Sequence, residues 1–61
     1  MELRSALEIL EATQRDYVDA LRARAGVHEN TPEYHLAVRR LGEAWYRWRL
    51  ARQEVKRLKE A

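Results

Sequence analysis

Apolar residues recur along the chain at alternating steps of three and four. From Leu3 the series runs Leu7, Leu10, Gln14, Tyr17, Leu21 and Arg24, with Gln14 and Arg24 as its polar interruptions. From Tyr34 a second series runs Ala37, Leu41, Ala44, Trp48, Ala51, Val55 and Leu58. Such spacing places each set along one side of an α-helix. Between the two series lies the one break that holds both glycine and proline, Gly26-Val27-His28-Glu29-Asn30-Thr31-Pro32. The flanking segments are rich in Ala, Leu, Glu and Arg, all strong helix formers. The pattern predicts helices over about 2–25 and 32–60 joined by a turn over 26–31, one domain across 1–61. Gly26 is expected to end the first helix in the left-handed conformation. Thr31 is expected to cap the second, with Pro32 in its first turn and Glu33 beside its positive end; Asn30 with Glu33 offers an alternative capping box. So short a connection makes the helices antiparallel neighbours.

A row of small residues fixes how the helices meet. Ala6, Thr13 and Ala20 are spaced by seven, as are Ala37, Ala44 and Ala51. Pairing Ala6 with Ala51, Thr13 with Ala44 and Ala20 with Ala37 centres the turn on His28 and Glu29, inside the break. The large seam residues give nearly the same register, pairing Leu3 with Val55, Leu10 with Trp48 and Tyr17 with Leu41. Small residues facing one another allow helix axes to approach to the short end of the roughly 8–10 Å range.

Each apolar arc spans nearly half of its helix, more than one partner helix covers. With the small residues turned inward, Leu3, Leu7, Val18 and Leu21 of the first helix and Tyr34, Val38, Leu41 and Trp45 of the second fall on one common flank. Eight such side chains exceed the few hundred Å² of contiguous apolar surface that a monomer usually shows. The expected fold is therefore all-α: an antiparallel helical hairpin with an Ala-lined contact, dimerising through this flank into a four-helix bundle.

Composition narrows the field. The chain has 61 residues and no cysteine, so disulfides and thiolate metal sites are excluded. A chain this short buries only about 60% of its unfolded surface, which favours self-association as a source of stability. No apolar run approaches the roughly 20 residues of a membrane span, and no basic-then-apolar leader is visible at Met1-Glu2-Leu3, so cytoplasmic residence is the expectation. The net charge is only +2, from 12 basic and 10 acidic residues. Residues 26–61 carry the excess, with eight bases against five acids.

Candidate chemistry is sparse. His28 and His35 match no metal-ligand spacing and read as solvated. Asp16 and Asp19 read as a solvated pair balanced by Arg15 and Arg22, because acid/base work needs a desolvated cleft. Ser5 is the only serine, and there is no glycine-rich phosphate loop. No catalytic, cofactor or metal residue is assigned, and an enzyme is not expected. The second helix holds the candidate partner face, Arg39, Tyr46, Arg49, Leu50 and Arg57. Basic and aromatic side chains interleaved in this way suit a protein interface or a phosphate backbone. Glu43 and Arg47 stand in the favourable i,i+4 order for local pairing on the same helix.

In layout the chain resembles two groups of small helical hairpins. One is the plasmid RNA-pairing regulators, which are dimeric four-helix bundles. The other is the small sporulation-regulating phosphatases, whose glycine-then-proline turn is similar to Gly26–Pro32. Where those phosphatases carry their signature this chain reads Val38-Arg39-Arg40-Leu41-Gly42, so the resemblance implies a fold and no activity. The expected function is that of a small bacterial or phage regulatory protein presenting a helical surface to a protein partner, with nucleic-acid binding through the basic face as the alternative.

Overall fold

A computed structural model describes all residues from 1 to 61. It contains two helices, α1 (Leu3–Ala25) and α2 (Pro32–Glu60), packed against each other as a hairpin. The start of α2 follows from its local chemistry. Thr31 adopts an extended backbone, and its Oγ1 accepts from the Tyr34 N–H at 3.2 Å while donating to the His28 carbonyl at 2.8 Å. One hydroxyl thus closes the turn and satisfies an orphan helix donor. Pro32 follows where its missing N–H is not needed, and Glu33 lies in the first turn. Thr31 is the cap, and Asn30 is not.

The end of α1 departs from expectation. Gly26 has φ −87° and ψ 0°, and no residue of the chain has a positive φ. The chain leaves α1 by tightening. The Gly26 N–H reaches the Arg22 and Ala23 carbonyls, and Val27 donates to Arg24 at 3.3 Å. The bonds to Ala23 and Arg24 are of the i→i+3 kind, and with the one to Arg22 they satisfy the last carbonyls without a left-handed residue.

The interior is made of the small-residue row. Ala6, Ala20, Ala44, Ala51 and Val55 are the five buried residues, and no large side chain is fully enclosed. Ala37 and Thr13 of the same row are half-buried. Thr13 fits among alanines because its Oγ1 donates back to the Ile9 and Leu10 carbonyls, at 2.9 and 3.0 Å. Its hydroxyl therefore demands nothing of α2.

The large residues settle one heptad away from the register assigned to them. Tyr17 stacks on Trp48, with ring centroids 5.4 Å apart and planes 9° apart. Leu10 shares a cleft with Val55. Side chains lean toward the N-terminus of their own helix. In an antiparallel pair the long side chain of α1 therefore leans away from the turn and that of α2 leans toward it. They meet partners further along α2 than the backbone register implies, while short alanines hold that register.

A core this narrow leaves an extended particle. The Cα radius of gyration is 14.0 Å and the principal extents are 46 × 13 × 13 Å, against about 10.5 Å for a compact chain of this length. The exposed surface is 5081 Å², where a compact monomer of the same mass shows roughly 4,200 Å².

Two stability predictions follow from this packing. Ala44→Leu overfills the buried row and lowers stability by about 1–3 kcal/mol, measurable by thermal or urea denaturation; an unchanged midpoint would place the row at the surface. Gly26→Ala stabilises by about 0.4–1 kcal/mol. The φ is already negative, and an added Cβ meets only the Arg22 and Ala23 carbonyl oxygens at 3.7 and 3.8 Å.

Candidate interaction surface

The flank singled out from the sequence is only partly bare. Leu3, Leu7, Val18, Val38 and Trp45 are exposed, whereas Leu21, Tyr34 and Leu41 are half-buried by the hairpin itself. Apolar exposure is not confined to this flank. Met1, Ile9 and Leu50 surround a cleft on the opposite side together with Ala6, Thr13 and Ala51, and Leu36 and Tyr46 lie outside both. The alanine contact is narrow, so both edges of each apolar arc fall beyond it.

The chemistry of the flank changes along its length. On α2 one heptad position holds Val38, Trp45, Arg52 and Lys59 in succession. On α1 one position holds Val18, Glu11 and Arg4, counting away from the turn. Near the turn these positions are apolar; at the far end they are charged. Arg49 and Lys56 lie beside Arg52 and Lys59 on the same third of the α2 surface. The four cations extend over about 15 Å of helix at 1.5 Å per residue.

Two of these cations are held by aromatic rings. The Arg52 guanidinium lies 4.8 Å from the Trp48 ring centroid, and that of Arg49 lies 5.4 Å from Trp45. Each is an i,i+4 cation–π contact, worth about 0.5–1 kcal/mol where exposed. A guanidinium laid against an indole keeps its N–H edge free for a planar anion. Arg52, Lys56 and Lys59 also line the cleft floored by Leu10 and Val55, with Glu60 at its end.

The cations assigned to the outer face are differently placed. Arg39 pairs with Glu43 at 3.5 Å. Arg57 binds Glu54 through both its Nε, at 3.2 Å, and its Nη2. That hydrogen bond, then the Arg57 charge, hold the Glu54 carboxyl below the usual carboxylate range, and Glu54 raises Arg57 in turn. Of the face Arg39, Tyr46, Arg49, Leu50 and Arg57, only Arg49 is a cation without an acidic partner, and it is turned toward the tryptophan flank. Glu43 reaches back to Arg39 and not forward to Arg47, whose side chain lines the two clefts on the other flank.

The sequence carried a signal for this difference. Arg39 and Arg57 each have a glutamate three or four residues away, while Arg49 and Arg52 have no acid at those distances. Arg52, Lys56 and Lys59 fall outside the flank that apolar continuity defines, although Arg52 and Lys59 continue its Val38–Trp45 heptad position.

Elsewhere the side chains are ordinary. His28 and His35 are exposed, and His35 meets the Tyr34 ring edge-on at 6.2 Å. Asp16 and Asp19 line a cleft with Arg40, Glu43 and Arg47 and form no salt bridge, while Arg15 is engaged by Glu11 at 3.5 Å. No three His, Asp or Glu side chains converge at metal-binding distance, and no helix is long and apolar enough to cross a membrane. No protein-family model matches the chain, and no curated protein or solved structure shows significant similarity to it.

The geometry predicts that Arg52 shields Trp48. Arg52→Ala increases acrylamide quenching of tryptophan fluorescence, whereas Arg57→Ala, remote from both indoles, leaves it unchanged.

Proposed function

We propose that this chain is a non-enzymatic interaction protein that works as a homodimer, two hairpins packed through the turn-proximal half of the tryptophan flank as a four-helix bundle. The supporting observation is the surface excess. The chain exposes 5081 Å², about 900 Å² more than a compact monomer of its mass, close to the roughly 800 Å² that one partner contributes to a standard interface. Burying apolar area returns about 25 cal/mol per Å², and a chain with no large enclosed side chain has little other source of cohesion.

The turn-proximal half is the part suited to a second copy. Val18, Leu21, Tyr34, Val38, Leu41 and Trp45 lie there, free of charge at the facing heptad positions. A bundle extended to the far end would bring Arg52 and Lys59 toward its centre, where each desolvated charge costs several kcal/mol. Leu3 and Leu7, at that far end, therefore fall outside the self-contact.

A nucleic-acid role for the outer face of α2 has less support, since Arg39 and Arg57 are already engaged by carboxylates. Counterion release needs cations free to meet phosphates.

Sedimentation equilibrium at micromolar concentration is expected to return the mass of two chains. Leu41→Asp or Trp45→Asp should both dissociate and largely unfold the protein, read by circular dichroism. A well-folded wild-type particle of one-chain mass would overturn the dimer.

A further inference from the structure

We infer that the turn-distal half of the tryptophan flank is a docking groove for an acidic amphipathic helix from a protein partner. The inference rests on the reading of the chain as an interaction protein and supplies the chemistry of what it binds. The groove sets two unlike walls side by side. Its floor is apolar, with Leu10 and Val55 in the cleft, and α1 adds the exposed Leu3 and Leu7 with Arg4 and Glu11 at its outer edge. Its α2 side is a row of cations, of which Arg52, Lys56 and Lys59 line the cleft against the single acid Glu60 at its end, and none is engaged in a salt bridge.

Charge selects the occupant. A second copy set symmetrically over this region brings its own cationic row or its apolar floor, and neither neutralises four unpaired positive charges. A nucleic-acid backbone would satisfy the cations but leave the leucines uncovered. A helix with apolar residues at i, i+3 or i+4 and i+7, and Glu or Asp along one border, satisfies both walls at once. Three turns match the roughly 15 Å from Arg49 to Lys59. Trp48 holds the Arg52 guanidinium in place before binding, which lowers the ordering cost of the ion pair.

The test uses the full chain and three fluorescein-labelled 14-residue peptides: a Leu/Glu amphipathic helix, its Glu→Gln isostere, and a scrambled Leu/Glu sequence with no continuous apolar face. A labelled 20-nucleotide oligouridylate is the fourth probe. Fluorescence anisotropy is expected to show the Leu/Glu helix binding at least tenfold more tightly than each of the other three. Arg52→Glu with Lys56→Glu should weaken that binding at least tenfold and Leu7→Ala at least threefold, each variant checked for helicity by circular dichroism; Arg40→Gln, on the opposite flank, should leave it within twofold. The peptide comparison on the wild-type chain decides the matter even where a variant unfolds. Equal binding of the scrambled or Gln peptide, tighter binding of the oligouridylate, or no binding of the Leu/Glu helix at 1 mM would each overturn the inference. Because one chain builds the whole groove, titration of the wild-type protein to saturation should give one peptide per chain. A one-chain wild-type mass with intact peptide binding would refute the dimer alone; a two-chain mass with no peptide binding would refute the groove alone.

Discussion

A contact built from alanine governs the architecture of this chain. Ala6, Ala20, Ala44 and Ala51, with Val55, make up its buried set. Small side chains fill a helix–helix contact without filling volume, so they fix the register and leave the leucines and tryptophans at its edges. A core of larger residues would hold the helices further apart and enclose those side chains. The consequence is a rod 46 Å long with more surface than its mass requires. Its cohesion and its capacity to associate are therefore linked, since the surface missing from the interior is the surface available to a partner.

The aromatic pair tempers this deficit locally. Tyr17 and Trp48 bridge the helices midway along the hairpin, and Arg52 lies against the Trp48 ring. A stacked aromatic pair contributes about 0.5–1.5 kcal/mol beyond its buried area. It is also where the flank changes character: apolar positions lie between this stack and the turn, and the cationic row lies beyond it. The stack thus belongs both to the stabilising contact and to the border between the apolar and cationic halves of the flank.

Much of the fold was legible because it depends on local rules. The Thr31 cap, the Pro32 start and the alanine row are each set by one residue's chemistry or by a strict spacing of seven, and the helix bounds agree to within a residue. What was not legible depends on direction and on choice. The Tyr17–Trp48 pairing needs the lean of long side chains, which a list of facing residues omits. The end of α1 could close by a left-handed glycine or by a tightened turn, and Gly26 permits both. Glu43 has an arginine four residues away on either side, Arg39 and Arg47, and composition cannot rank them. The candidate surface was half legible for the same reason: the basic character of α2 is plain in its composition, but Arg40, Arg47 and Lys56 each have a glutamate within one turn and pair with none.

The heptad position Val38, Trp45, Arg52, Lys59 carries the widest consequence. A hairpin meant only to bury its excess against a copy of itself would keep that position apolar to the end, because every added apolar turn extends the interface at little cost. Replacing its last two members with cations gives up that burial and would place charges inside any full-length pair. Helix formation does not require the change, since Leu or Ala at those sites would serve α2 equally well. Nor does local ion pairing, because neither cation has a carboxylate partner in the chain. In the proposed dimer the change ends self-contact partway along the flank and leaves a surface of different chemistry beyond it. Under the proposed dimer and groove, one small hairpin holds a copy of itself near the turn and a different partner near its termini without the two competing for the same residues.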